Sequence, residues 1–547
     1  MRNCLVALLT LLLVLPATPP AHAQAYQAKP KLVIILVIDQ FRGDYLERYR
    51  QDFKTPSGFN LFLKRGAYFT DCYYDYANTM TAPGHSTIGT GAYTDGHGIS
   101  LNEWWDLNRF TTHPVSSVDD ERYALVGSSA TGELGASPRN ELASTLGDEV
   151  VLATRGQSKL FGISLKDRAA ILTSGHASNG AFWLDHATGK FISSTYWGPQ
   201  LPPWVQAFNA SDRANQALRE AKANPGHFYD DVGANPASVS YLLDFAKSLV
   251  AAEQMGRHNV TDVLTISISS TDILGHRVGP DAPEQRAMID AIDIHLNNFF
   301  TWLNGHVDGG MDNVWVALSG DHGIGPIASE SAKLGIPSAV FNVTKLSAAL
   351  NAALNQRFSP GQSINYLLGG ELPYLELDPR PFQQAKVSEA DAENAVAELL
   401  PAAFDATQPP PPTGPSQQRL PANPTVRRVY TRVQMAAGQL PATDEGRRIL
   451  HSYSPNGGWY VLFTPGMYQL SSSHGTNHYT PYSYDRHVPL AFFGSAFRPG
   501  TYHDLVAPVD IAATFASLLR INQPSASVGH VLTQALRPEP STPPTTH

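Results

Sequence analysis

The sequence predicts an α/β protein, a mostly parallel sheet with helices on both faces. Three observations lead there. Several apolar runs lack polar alternation and read as strands buried on both sides. Stretches with helical apolar spacing lie between some of them. Three of the apolar runs end in carboxylate or imidazole side chains, and in open α/β sheets ligands sit outside the carboxyl ends of the strands.

In chain order, strands are expected at 31–39 (KLVIILVID), 159–168 (KLFGISLKDR), 262–272 (DVLTISISSTD), 313–322 (NVWVALSGDH) and 487–494 (HVPLAFFG). Helices are expected at 283–303 and 507–521, where apolar residues recur at helical spacing. Residues 387–400 read as a further helix, with Ser388 as N-cap and Asp391 placed for a capping box. The proline-rich segment 408–424 reads as an extended loop or linker. No internal repeat is evident. Residues 24–536 are expected to form one domain, with insertions at about 103–150, 197–260 and 345–460 and a disordered tail at 537–547.

Composition narrows the class. Of 547 residues, 42% are hydrophobic and 16% charged, which is ordinary for a globular chain with a large core. The formal net charge of -9, with no long basic block, argues against nucleic-acid binding. The opening MRNCLVALLTLLLVLPATPPAHAQ has a basic start, an apolar stretch and a small-residue ending. It reads as a secretory signal peptide cleaved after Ala23, with an apolar core short for a membrane span. The expected product is exported, periplasmic or extracellular, with no membrane anchor. Cys4 leaves with the leader, so Cys72 is a lone thiol with no internal disulfide to form. It reads as a small buried hydrophobe.

The chemistry collects at polar strand ends. Asp39 closes the first run. Asp272 and His276 stand four apart in STDILGH, and Asp321 and His322 are adjacent in SGDHG. His474 lies in SSHGTNH, with His478 and His487 close enough in sequence to compete for its role. Mixed Asp and His ligands suit zinc or another borderline first-row metal. Six ligands exceed what one tetrahedral zinc needs, so two metals are implied. Two metals roughly 4 Å apart can hold the attacking and leaving oxygens of an in-line displacement.

The segment TMTAPGHSTIGTG (79–91) offers a nucleophile. Pro83 fits the first turn of a helix, because its missing N–H is not needed there. Thr81 then stands just ahead of a helix N-terminus, which favours anions. A threonine hydroxyl is a weak nucleophile until a metal favours the alkoxide. Thr79 fits the role equally well by composition.

With these motifs in hand, the chain resembles the alkaline phosphatase superfamily, in particular secreted bacterial PafA-type phosphatases with a threonine nucleophile. Thr81-Ala82-Pro83-Gly84-His85 matches that family's T-x-P-x-H pattern, which selects Thr81 over Thr79. The likeness runs from VIDQFRGDYL through GHGISLNEWWD, ISLKDRAAIL, SSTDILGHRVG and SGDHG to SSHGTNHYTPYSYDRHVPLAFFG and DIAATFASLL. It implies an alkaline-phosphatase-like three-layer sandwich. It implies one Zn2+ held by Asp272, His276 and His474, and a second held by Asp39, Asp321 and His322 with Thr81 as its reactive ligand. It further implies that Asn102 donates to a phosphoryl oxygen and that Lys166 and Arg168 contact phosphoryl oxygens, as in the monoesterase branch.

That Lys and Arg make chemical sense. A phosphate monoester dianion presents three non-bridging oxygens, and a guanidinium can engage two at once. A diester carries one charge less. On an extended segment Lys166 and Arg168 would share a face, with Asp167 pointing away. The expected activity is hydrolysis of small-molecule phosphate monoesters through a phosphothreonine, releasing inorganic phosphate. A phosphodiesterase or nucleotide pyrophosphatase would share the metals, Thr81 and Asn102. A metal-binding protein without turnover is the alternative outside enzymes. A sulfatase would need Cys or Ser in a C/S-x-P-x-R string, and TAPGH stands there instead.

Overall fold

A computed structural model describes residues 29–538 except 131, 337, 408–425 and 472–474. The leader 1–23, the proline-rich segment 408–424, His474 and most of the 537–547 tail lie outside the described residues.

Ten strands form the central sheet: β1 (Leu32–Ile38), β2 (Ala67–Tyr73), β3 (Leu125–Val126), β4 (Leu160–Ser164), β5 (Gly180–Leu184), β6 (Phe191–Ser194), β7 (Asp262–Ile268), β8 (Val314–Ser319), β9 (His487–Phe493) and β10 (Gly500–Val506). Their order is β10-β2-β9-β8-β1-β7-β4-β5-β6-β3. The centre is parallel: β1 pairs with β7 and β8, β7 with β4, and β4 with β5. One expectation needs correcting here. β9 reads as a buried parallel strand because it is apolar throughout, yet it runs antiparallel to both β8 and β2. Burial on two faces makes a strand apolar whichever way it points, so periodicity carries no direction.

β1 shows why the sheet is a middle layer. All seven of its residues are buried. Leu32, Ile34, Leu36 and Ile38 pack into one core, which also holds Leu242 and Phe245 of a helix at Pro236–Ala252 and Ile292 and Leu296 of a helix at Pro283–Asn304. Val33, Ile35 and Val37 face the other core, with Ile511 and Phe515 of a helix at Asp510–Leu519. Alternate residues of one strand thus feed two cores. Helices at Pro283–Asn304, Asp510–Leu519 and Glu389–Ala406 correspond to the three expected ones. Ser388 caps the last, accepting from the Asp391 N–H.

A second sheet of four strands (Leu367–Gly369, Tyr374–Leu377, Tyr460–Thr464, Arg428–Thr431) is drawn from residues 367–464. It has its own apolar core with helices Val343–Phe358 and Glu389–Ala406. Cys72 is buried and its thiol free. Among the described residues no helix is long and apolar enough to cross a membrane.

Candidate active site and metal centre

The four neighbouring parallel strands β8, β1, β7 and β4 point their carboxyl ends at one rim. Asp321 and His322 follow β8, and Asp39 follows β1. Asp272 lies beyond β7 in the first turn of a helix at Ser270–Val278, which also carries His276 one turn on. The expected strand 262–272 therefore ends at Ile268. Thr81 opens a helix, Thr81–Thr90, that follows β2.

The expected extended segment around Lys166 is corrected too. β4 stops at Ser164, Lys166 is an N-cap, and Asp167–Ser174 is helical. Lys166 and Arg168 are therefore not alternate residues of a strand. The Asp167 carboxylate accepts from the Arg168 backbone N–H at 2.7 Å. A Lys-Asp-Arg string has no apolar periodicity to reveal where a strand turns into a helix.

The side chains converge nonetheless. Lys166 Nζ donates to Asp39 Oδ2 and to Asp272 Oδ2, both at 2.6 Å, and stands 3.3 Å from Thr81 Oγ1. Met80 is the N-cap of this helix and makes no side-chain cap bond, and Thr81 is the first helical residue. The capping partner is Asn102, whose Oδ1 accepts from the Ala82 N–H at 3.0 Å. Arg168 keeps a buried Nε without a hydrogen-bond partner.

The histidines share one design. His276 Nδ1 is held by the Thr476 carbonyl at 2.9 Å, His322 Nδ1 by the Gly323 carbonyl at 2.9 Å, and His478 Nδ1 by the Thr79 carbonyl at 2.5 Å. A carbonyl only accepts, so each Nδ1 carries a proton, and in the neutral ring Nε2 is left with a lone pair. This is how proteins prepare imidazoles as metal ligands. The Nε2 atoms face carboxylates: His276 lies 3.1 Å and His478 3.8 Å from Asp272 Oδ1, and His322 lies 3.5 Å from Asp39 Oδ1 and 3.6 Å from Asp321 Oδ2. The rings of His322 and His478 stack at 3.7 Å.

Three buried acceptors here, Asp39 Oδ1, Asp321 Oδ2 and His322 Nε2, have no hydrogen-bond partner. Buried polar atoms are normally satisfied, and a cluster of orphaned acceptors calls for a cation. The balance of charge says the same. Two carboxylates 4 Å apart repel by about 4 kcal/mol at an effective dielectric of 20, and three carboxylates here share one lysine. Burial, with Asp272 and Asp321 nearby, pushes the Asp39 carboxyl well above its ordinary range. Burial opposes the ionised form of Asp272 as well, but Lys166, His276 and His322 together outweigh it and hold that carboxyl low. Burial also lowers His322 and His478, which keeps them neutral, the form that binds metal. The ligand atoms of Asp272, His276 and His478, and those of Asp39, Asp272 and His322, lie within 4.8 Å of one another. The residues fit bound metal.

His478 thus stands in the cluster, on the segment that leads into β9. His474 is outside the described residues, and His487 is turned elsewhere, its Nε2 2.8 Å from the Thr70 carbonyl. Three further residues escape a sequence reading. Gln40, with a left-handed φ of 61°, gives its N–H to Asp321 Oδ1 and its side-chain amide to Asp272 Oδ1. His85 bonds the Thr81 carbonyl at 2.8 Å and lies 3.3 Å from Asp321 Oδ2. Glu371 accepts from Asn102. His85 at least carried a signal, the T-x-P-x-H spacing.

The rim thus gathers carboxylates, imidazoles, a threonine, a lysine and an arginine. The pattern of type I phosphodiesterase / nucleotide pyrophosphatase matches residues 33–479. The chain belongs to that family. It is 31% identical to alkaline phosphatase PafA of Elizabethkingia meningoseptica, over 93% of this chain and 95% of that protein. It is 30% identical to alkaline phosphatase PhoV of Synechococcus elongatus, over 93% and 94%. The crystal structure of wild-type PafA superposes with a TM-score of 0.79 at 30% identity, covering 93% of this chain and 99% of the other. These relationships place the chain in the PafA-type alkaline phosphatase superfamily and make it a phosphoric monoester hydrolase. The three-layer α/β fold is the one expected.

Proposed function

We propose that the protein is an exported phosphatase that carries two zinc ions and hydrolyses phosphate monoesters through a phosphothreonine at Thr81. The observation that carries this reading is Lys166 Nζ, 3.3 Å from Thr81 Oγ1 and bonded to both Asp39 and Asp272. These contacts bring a threonine hydroxyl, a lysine ammonium and the carboxylate rim together, which supports the reading. Asp272, His276 and His478 would hold one ion, with His478 in the role the sequence reading gave to His474. Asp39, Asp321 and His322, with Thr81, would hold the other. Bound there, zinc supplies Lewis acidity, which lowers the pKa of a hydroxyl and offsets charge on phosphoryl oxygens.

The chain's own residues do the rest. Thr81 Oγ1 attacks phosphorus in line as the bond to the leaving alcohol oxygen breaks. Water then cleaves the Thr81–phosphate bond, freeing inorganic phosphate and restoring the hydroxyl. Lys166, the unpaired Nε edge of Arg168 and the Asn102 amide match the three non-bridging oxygens of a monoester. Such preset donors act mainly by positioning and charge stabilisation. A solved PafA variant with one threonine, one asparagine, one lysine and one arginine replaced supports the grouping. The threonine-to-asparagine and lysine-to-arginine separations there equal those of Thr81 to Asn102 and Lys166 to Arg168. The family's name carries the second reading, a phosphodiesterase or nucleotide pyrophosphatase.

The deciding experiment compares kcat/KM of zinc-loaded protein on an aryl phosphate monoester and on its methyl diester. The monoester should be strongly preferred, with inorganic phosphate an inhibitor. Preference for the diester would move the protein to the second reading. Thr81→Ala should lose turnover and keep its zinc, and a fully active, zinc-loaded Thr81→Ala would remove Thr81 as nucleophile.

A further inference from the structure

Glu371 comes from the four-stranded sheet, far from Asn102 in sequence. It sits on the turn between Leu367–Gly369 and Tyr374–Leu377. Gly370 adopts φ 138°, and a Cβ there would come within 2.6 Å of the Tyr374 carbonyl oxygen. Only glycine closes the turn this tightly. The turn presents Glu371 to Asn102: Oε2 accepts from the Asn102 backbone N–H at 3.1 Å and Oε1 from Asn102 Nδ2 at 3.2 Å.

The Asn102 amide is thereby held at both ends. A backbone N–H can meet only the amide oxygen, so Ala82 N–H fixes Oδ1. An ionised carboxylate can meet only a donor, so Glu371 fixes Nδ2. One Nδ2 hydrogen goes to Glu371 and the other is left for a ligand. The chain of contacts runs from Glu371 through Asn102 to Ala82, the residue next to Thr81. Burial pushes the Glu371 carboxyl up, while the bonds from Asn102 and the charge of Arg168 favour its ionised form.

We propose that Glu371 is a positioning residue for phosphoryl transfer, setting which face of the Asn102 amide meets the phosphoryl oxygen. The inserted sheet is then a working wall of the phosphoryl pocket. This rests on the reading of Asn102 as a phosphoryl donor.

The test is a double-mutant cycle on the zinc-loaded full chain. It reads kcat/KM for an aryl phosphate monoester and the inhibition constant of inorganic phosphate. Glu371→Ala should cost roughly tenfold in kcat/KM, as removal of such supporting partners does, and should weaken phosphate inhibition. Glu371→Gln, which keeps one acceptor and loses the other, should fall between. In the Asn102→Ala background, Glu371→Ala should change either quantity by no more than about twofold. Equal losses in both backgrounds would overturn the proposal, as would wild-type values for both Glu371 variants. If the alanine variant fails to fold, Glu371→Gln closes the same cycle. If Asn102→Ala alone leaves turnover and phosphate inhibition intact, the reading of Asn102 fails, and this inference with it.

Discussion

At the scale of single residues, the position of the proton decides what each histidine can do. His276, His322 and His478 each give Nδ1–H to a backbone carbonyl, which leaves Nε2 for a metal. Removing one such ligand leaves the other groups in place but opens the set. His478→Ala is expected to lose about one zinc per chain, read by elemental analysis, with monoester turnover falling in parallel. His474→Ala should keep both ions. The reverse result would return the ligand role to His474. The resemblance pointed to His474 in this stretch, whereas among the described residues it is His478 that stands beside Asp272 and His276; sequence alone does not show which side of a loop a residue four positions on will face.

Helices and loops set how closely these residues meet. Gly84 lies inside the helix Thr81–Thr90, where a Cβ would fall 2.3 Å from the Asp321 carbonyl oxygen and 2.7 Å from Asp321 Cβ. The glycine is there for this approach, and not to turn the chain as its neighbourhood in TAPGH suggests. Alanine in place of a helical glycine ordinarily stabilises by about 0.5–1 kcal/mol. Overpacking costs about 1–3 kcal/mol, and here the clash is with backbone, which cannot swing aside. Gly84→Ala should therefore lower Tm by about 1–2 °C in a chain this long and weaken zinc retention against a chelator. An unchanged Tm would mean the helix and the Asp321 loop separate freely.

Another loop contact is tunable by pH. Asp185, past the end of β5, accepts from Ser129 N–H and hydroxyl, both at 2.7 Å, and from Thr188 N–H at 2.8 Å and hydroxyl at 2.7 Å. Burial opposes its charge, yet these donors outweigh that and hold the carboxyl at about 2, below its ordinary 3.8. The folded value is depressed, so the stabilisation is complete above the ordinary value and is lost as pH falls toward 2. It amounts to about 1–2 kcal/mol. Asp185→Asn should be less stable than wild type at pH 6, with the gap in urea unfolding free energy closing between pH 4 and 2. A gap constant with pH would show that the carboxylate charge is not what matters.

For the whole molecule, the site is where the fold stores its electrostatic strain. Asp39, Asp272 and Asp321 are all buried, at 0%, 4% and 0% exposure, and one lysine cannot neutralise them. Anything that binds only the folded chain stabilises it by mass action. Chelation should lower Tm and abolish monoester turnover together, and added zinc should restore both. A Tm and an activity indifferent to chelator would remove metal from the account.

By itself the sequence determined the α/β class, the positions of the main strands and helices, and the residue types at the rim. Those signals are local: two-sided burial makes strands continuously apolar, and chemistry needs polar groups where an apolar run stops. The tertiary structure decided the direction of β9, the helical start at Asp167, the placement of His478 in the cluster, and the supporting contacts of Gln40 and Glu371. Each of these depends on what lies opposite in space. A carboxylate on a hairpin turn looks like any solvated glutamate until the fold carries it to the one asparagine whose amide it can orient.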